Sequence, residues 1–135
     1  MREDLDKLLC EKYPKIFADR NEPASVTAMC WGFPGDGWFN IIDTLCGAIQ
    51  DHIDNVYYYK DGVETRCKQV IAVQVKEKFG ALRFYYRDGD EAIAGMVELA
   101  EYMSARTCEE CGLPGKIRDG GWIRTLCDAH RTDKP

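Results

Sequence analysis

The apolar residues of the chain recur with two different spacings, and these spacings predict its elements. Helical spacing, with apolar residues every three or four positions, covers about 4–12, 37–56 and 91–105. Alternation of apolar and polar residues covers 69–78 and 81–87, which predicts two strands joined by a turn at Phe79-Gly80. The predicted fold class is therefore α+β, with helices packed on a short antiparallel sheet.

The second predicted helix carries the longest apolar stripe. The stripe consists of Trp38, Ile41, Ile42, Leu45, Ile49 and Ile53. Asp36 is the expected N-cap of this helix, and Asp88-Gly89-Asp90 is expected to cap the third one. Residues 18–35 are predicted to form a loop, and Tyr57-Tyr58-Tyr59 to lead into a turn at 60–62.

The composition changes at Cys108, where glycine, cysteine and short polar turns take over. We expect an α+β core over 1–105 and a zinc-ribbon-like tail over 106–135 that packs on it. The tail holds a C-x2-C pair, fifteen intervening residues and a C-x2-H pair; the four side chains are Cys108, Cys111, Cys127 and His130. A Gly-rich turn between 116–118 and 122–126 predicts a hairpin that returns the second pair beside the first.

This spacing predicts a structural Zn2+ site, because zinc takes four tetrahedral thiolate and imidazole ligands. The alternative is a redox-active C-x2-C pair, which needs a βαβ context that the pattern lacks. The other cysteines, Cys10, Cys30, Cys46 and Cys67, have no ligand spacing and are expected to be buried thiols. A second metal site or a nucleophilic cysteine would need His52, whose surroundings are expected to be a solvated helix face.

Charge is distributed unevenly over the 135 residues, whose net charge is −5. Residues 58–87 carry 7 basic and 3 acidic groups, a net charge of +4. The overall acidity disfavours nucleic acid as a partner. The absence of a phosphate-binding loop, a nucleophile elbow or a metalloprotease helix motif disfavours an enzyme.

Strand alternation separates the side chains of the basic segment into two faces. Ile71, Val73 and Val75 are expected to pack on the helices together with Leu82, Phe84 and Tyr86. The open face would then carry Lys76, Lys78, Arg83, Tyr85 and Arg87, and the glycine-rich loop would add Trp31 and Trp38 as a wall. Cations beside aromatic rings suit a ligand with phosphates and a base. The alternative is a solvated outer face, with the tryptophans as core anchors.

No apolar run approaches the ~20 residues that span a bilayer. The acidic, amphipathic N-terminus lacks the apolar centre of a signal peptide. We therefore expect the protein in a cytoplasm, bacterial or otherwise, without membrane partners, where disulfides are disfavoured. A homodimer with a ligand site at its interface is compatible with the pattern.

Three strings resemble small, mostly uncharacterised zinc-motif proteins carried by bacteriophages and prophages. They are GDGWFNIIDTLC at 35–46, QVKEKFGALRFYY at 74–86, and CEECG…GWIRTLCDAH within 108–130. The resemblance implies a phage accessory protein in a bacterial host, of a kind that often antagonises host defence. It implies no catalytic residue.

Several functions remain open. The first is a non-enzymatic protein that binds and sequesters a nucleotide-type signal through the basic face. The second is a protein-binding inhibitor or adaptor that docks on a host defence protein through the zinc module, with Trp122 and Ile123 as anchors. The third is a nucleic-acid-binding zinc-ribbon regulator, for which the cations would be Lys116, Arg118, Arg124 and Arg131. The fourth, an enzyme such as a nuclease or a signal-cleaving hydrolase, has no motif to support it.

Overall fold

The computed structural model describes residues 1–131, so the last four residues of the predicted tail lie outside the described range. Within residues 1–131 there are three α-helices: α1 Glu3–Lys12, α2 Phe39–Asn55 and α3 Glu91–Ser104. The strands of the same range are β1 Tyr57–Lys60, β2 Val63–Arg66, β3 Ile71–Lys78, β4 Ala81–Arg87, β5 Lys116–Arg118 and β6 Arg124–Leu126. They pair consecutively into three separate two-stranded antiparallel sheets. The predicted α+β class is confirmed; the β3–β4 and β5–β6 hairpins were expected from the sequence, and the β1–β2 hairpin was not.

Helix α2 supplies the centre of the core. All six apolar residues of the predicted stripe are buried, and Trp38 and Ile42 have no exposed surface. The expected N-cap is wrong, because a 3₁₀ turn over Asp36–Trp38 precedes the helix and places Trp38 at the cap position. The Asp36 carboxylate instead accepts a hydrogen bond from the backbone N–H of Arg2 at 2.6 Å.

The β3–β4 hairpin contains a bulge that changes its predicted faces. Ala72 pairs with Tyr86 and Gln74 with Tyr85, so Val73 is an extra residue with no partner. An extra residue reverses the alternation of side chains on the bulged strand. The buried residues of this strand and its entry are therefore Val70, Ala72 and Val75, and the prediction that Ile71 and Val73 share the core face is wrong.

Both edges of the β3–β4 hairpin are covered by other parts of the chain. On the β4 side, the Leu82 N–H donates to Ser104 Oγ of α3 at 2.8 Å. On the β3 side, the Ala72 N–H donates to the Ile16 carbonyl at 2.8 Å, and Thr27 Oγ1 donates to the Val73 carbonyl. These contacts occupy part of each edge and disfavour pairing with a further strand at those positions.

Helix α3 begins at the predicted cap, since Asp90 Oδ1 accepts a hydrogen bond from the Ile93 N–H at 3.1 Å. The β1–β2 hairpin was not predicted, because Tyr57-Tyr58-Tyr59 shows no alternation of apolar and polar residues. Its two-residue turn, Asp61-Gly62, adopts positive φ angles of 52° and 76°, as primed hairpin turns require. None of the helices within residues 1–131 combines the length and apolar composition that crossing a membrane requires.

Candidate metal centre and adjoining cleft

The four cysteine and histidine side chains of the tail converge on one point. Their donor atoms all lie within 4.8 Å of one another. Cys127 Sγ is 3.3 Å from His130 Nδ1, and Cys111 Sγ is 3.8 Å from Cys127 Sγ. Two sulfurs on a tetrahedral ion with metal–sulfur bonds of ~2.3 Å are ~3.8 Å apart. The cluster therefore has the size of a single four-coordinate metal site.

Local backbone geometry brings the first pair of donors together. The Gly112 N–H donates to the Cys108 carbonyl at 2.9 Å, and the Cys108 N–H donates to the Leu113 carbonyl at 2.7 Å. Gly112 adopts a φ of 80°, which glycine tolerates without strain. Hairpin β5–β6 then delivers the second pair, and the His130 N–H donates to the Cys127 carbonyl.

Electrostatics prepare one of these cysteines for metal binding. The hydrogen bond between Cys127 Sγ and His130 lowers the pKa of the Cys127 thiol to about 6. Thiolates, not thiols, are the metal-binding form of cysteine. Cys108 and Cys127 are buried, whereas Cys111 and His130 are exposed. The centre thus lies at the surface of the tail, with two of its four donors inside.

Glu109, inside the C-x2-C turn, ties the metal centre to the core. Its side chain is buried, accepts from Arg124 Nη2 at 3.0 Å, and lies 3.4 Å from the donating Gly35 N–H. The Gly37 N–H donates to the Glu109 carbonyl at 2.7 Å. The glycine-rich loop before Trp38 was expected to form a wall of a ligand site. Its glycines Gly35 and Gly37 instead lie against the turn over residues 108–112, which we call the candidate metal-binding turn.

Trp38 does not belong to an exposed ligand site, which corrects the sequence prediction. Its side chain has no exposed surface, and Nε1 donates to the Thr107 carbonyl at 2.8 Å. Trp38 is a core anchor, as the alternative interpretation of the sequence had it. Trp31, by contrast, is 75% exposed and is free to meet a ligand.

The predicted open face of β3–β4 is divided by ion pairs. Arg83 lies 3.7 Å from Glu101 of α3, and Arg87 lies 3.0 Å from Asp19. Across the stretch that the structure describes, no carboxylate lies within ion-pairing distance of Lys76 or Lys78. The uncompensated positive charge of this face is therefore at the end of the hairpin nearest the tail.

The surroundings of Arg83 and Tyr85 are also unfavourable for an anionic ligand. They border a cavity of about 530 Å³ whose other wall includes Glu98 and Glu101. Two carboxylates in one wall oppose a phosphate there. Of the predicted ligand face, the half formed by Arg83, Tyr85 and Arg87 is thus poorly suited to an anion.

A cavity of about 310 Å³ lies between the β3–β4 turn and the tail, and we call it the Trp122 cleft. Its lining residues are Lys76, Glu77, Lys78, Phe79, Gly121, Trp122 and Ile123. A neighbouring cavity of about 170 Å³ shares Lys76 and Glu77 and reaches Trp31. Trp122 is 76% exposed. Trp122 lies in the tail and the two lysines lie in β3, and no local spacing in the sequence could show that they meet.

No protein-family model, curated protein or solved structure matches the chain. The binding sites proposed for it therefore rest on its own residues and their geometry.

Proposed function

We propose that the four-donor cluster holds a structural Zn2+ ion in a ribbon-like module. Three thiolates and one imidazole are the donor set that zinc prefers, and four of them leave no open position for catalysis. The apolar core of this module consists of only Cys108, Leu126 and Cys127 within the described residues. So small a core does not hold a segment folded, and the metal supplies the missing stabilisation.

We further propose that the protein binds a small phosphorylated ligand of the nucleotide class in the Trp122 cleft and leaves it chemically unchanged. The observation that carries this proposal is that two lysines, neither with an ion-pair partner among residues 1–131, lie beside an exposed tryptophan in one cavity. The open face of the β3–β4 hairpin was expected from the sequence to bind the ligand. We assign the binding to its Lys76 and Lys78 end and not to Arg83 and Arg87.

Each part of the cleft has a matching part in such a ligand. The ammonium groups of Lys76 and Lys78 donate to phosphate oxygens. The Trp122 ring offers a face on which a base stacks, which contributes about 1–3 kcal/mol. Glu77 accepts a hydrogen bond from the Gly80 N–H at 3.0 Å and has further acceptor capacity for a sugar hydroxyl or a base amino group.

The charges favour a small ligand over a nucleic-acid strand. Of the cations expected to bind nucleic acid, Arg118 pairs with Asp128 at 2.7 Å and Arg124 pairs with Glu109 at 3.0 Å. The chain as a whole has a net charge of −5. Lys76 and Lys78 suit a few phosphate groups, whereas a nucleic-acid strand needs a continuous basic track.

Calorimetric titration with ATP and with cyclic di-GMP tests the ligand site. At least one of these probes should bind, and the double variant Lys76→Ala, Lys78→Ala should weaken it by at least about tenfold, since each charge-assisted contact contributes about 1 kcal/mol. Trp122→Ala should weaken it by about fivefold or more.

Lys60→Ala is the matched control, because Lys60 is an exposed lysine on the separate β1–β2 hairpin. It should leave the affinity unchanged. An affinity that survives both the double lysine variant and Trp122→Ala would place the ligand elsewhere. If neither ATP nor cyclic di-GMP binds at millimolar concentration, the proposed ligand class is rejected.

A second candidate function, a protein-binding adaptor, is favoured by the apolar surface of the tail. Leu113, Ile117 and Trp122 are 60%, 51% and 76% exposed. Large exposed apolar side chains of this kind serve as anchors at protein interfaces. In a pull-down from bacterial lysate, Trp122→Ala should then lose the partner while the double lysine variant keeps it. A partner retained by Trp122→Ala would contradict this function.

The biological setting that we propose follows from the resemblance to phage proteins and from the ligand class. A phage protein that sequesters a nucleotide signal would silence the host defence that the signal activates. It would do so by stoichiometric binding, for which the cleft provides the contacts and no catalytic group is required.

A further inference from the structure

Three side chains from distant parts of the sequence converge at a second point of the molecule. His52 lies in the last turn of α2, Cys67 in the connection between β2 and β3, and Asp90 at the cap of α3. Their donor atoms lie within 4.8 Å of one another. We propose that they form a second metal site, for a divalent cation of the Zn2+ and Co2+ class, with one coordination position open.

The donor set selects the class of ion. Sulfur, imidazole nitrogen and carboxylate oxygen together suit Zn2+ and Co2+, whereas Mg2+ and Ca2+ are held by oxygen ligands. Three protein donors leave a fourth tetrahedral position for water or a ligand atom. This distinguishes the site from the cluster of the tail, in which four protein donors complete the tetrahedron.

The His52–Asp90 pair requires only a small adjustment to hold an ion. His52 Nε2 and Asp90 Oδ2 are 2.7 Å apart and share a hydrogen bond. Nitrogen and oxygen ligands at ~2.0–2.1 Å from a tetrahedral ion are ~3.3 Å apart, so the ion would replace the shared proton and widen the pair by about 0.6 Å. Asp90 Oδ1 keeps its hydrogen bond from the Ile93 N–H, which orients the carboxylate as outer contacts of metal ligands do.

Accessibility is compatible with exchange of the ion with solvent. The His52 and Asp90 side chains are 15% and 30% exposed, and Cys67 is half-buried. Cys67 Sγ donates to the carbonyl of its neighbour Lys68 at 3.3 Å, a contact that coordination would replace.

Two other cysteines of the chain, Cys10 and Cys30, form hydrogen bonds within residues 1–131 only with groups close to them in sequence. Cys10 Sγ donates to Asp6 Oδ1 one helical turn away, and Cys30 Sγ donates to the Thr27 carbonyl three residues away. Cys67 instead meets an imidazole and a carboxylate from two other elements. The chain has two histidines, and each lies in one of the two donor groups found among residues 1–131.

Cobalt titration of the full chain, with Zn2+ already in the tail cluster, tests the second site. One further equivalent of Co2+ should bind and show the visible absorption of a tetrahedral cobalt ion with a sulfur ligand. Cys67→Ser should abolish the sulfur charge-transfer band and weaken the binding by at least about tenfold. His52→Gln should weaken it to a similar degree, and Cys30→Ser, the control, should change neither property.

The outcomes separate the second site from the first. Cobalt that merely exchanges into the tail cluster would give a spectrum that Cys67→Ser and His52→Gln leave unchanged, and that result would overturn the proposal. Wild-type protein that binds no additional equivalent would overturn it as well. Retained circular dichroism of both variants shows that loss of cobalt binding reflects loss of a ligand and not loss of the fold.

Discussion

Replacing Gly37 by alanine should destabilise the protein by about 3 kcal/mol or more, a large effect for a single methyl group. A Cβ at this position would overlap the Cys108 carbonyl oxygen and lie 2.6 Å from the Gly112 nitrogen. Both atoms belong to the backbone of the candidate metal-binding turn and cannot rotate away. The substitution should separate the turn from the start of α2, and thermal unfolding monitored by circular dichroism measures the loss.

Gly95→Ala is the matched control for this prediction. Gly95 lies in α3, and a Cβ added there meets no atom within 4 Å. Alanine in a helix is favoured over glycine by roughly 0.5–1 kcal/mol, so this variant should be as stable as the parent or slightly more so. A Gly37→Ala protein that unfolds at the parental temperature would show that the candidate metal-binding turn does not pack on α2 as described.

Cys108→Ser should remove one equivalent of Zn2+ and lower the unfolding temperature by more than about 10 °C. Cys108 is fully buried and is one of the four clustered donors, and the proposed ion would stabilise the small core around it. Each kcal/mol lost from the free energy of unfolding lowers the melting temperature of a domain of this size by roughly 3–6 °C. Elemental analysis of the purified protein gives the metal content, and calorimetry gives the transition.

The same variant should change the environment of Trp38. Because Trp38 Nε1 donates to the Thr107 carbonyl, next to Cys108, an unfolded tail would expose this ring to water. A red shift of tryptophan emission is expected for Cys108→Ser and not for Cys30→Ser, whose thiol lies outside both donor groups. A Cys108→Ser protein with full zinc content and unchanged emission would contradict the assigned ligand set.

The parts of the fold that depend on local periodicity could be predicted from the sequence. The apolar stripe of α2, the cap of α3 and the four donors of the tail follow from spacing alone, since each set lies within one segment or one hairpin. The bulge at Val73 could not be predicted, because it adds a residue without interrupting the run of apolar side chains. It moved Ala72 into the core in place of its neighbours.

The candidate cleft shows a different limit of sequence reasoning. Periodicity predicted the outward side of Lys76 and Lys78, but it could not show which cations pair with carboxylates on other elements, as Arg87 does with Asp19. Nor could it distinguish the two tryptophans of one glycine-rich loop. Trp38 is buried against the tail, and Trp31 remains exposed. Tertiary contacts between segments far apart in sequence decide both questions.

Nucleotide binding in the Trp122 cleft is tested by native mass spectrometry of the protein purified from a bacterial host, before and after addition of ATP and cyclic di-GMP. Wild-type protein should appear as a folded, zinc-loaded chain that takes up one nucleotide and releases it intact on denaturation. The double variant Lys76→Ala, Lys78→Ala should keep zinc and bind the nucleotide at least about tenfold more weakly. A zinc-loaded wild-type chain without any nucleotide adduct, or a nucleotide released as a cleaved product, would contradict the proposed function.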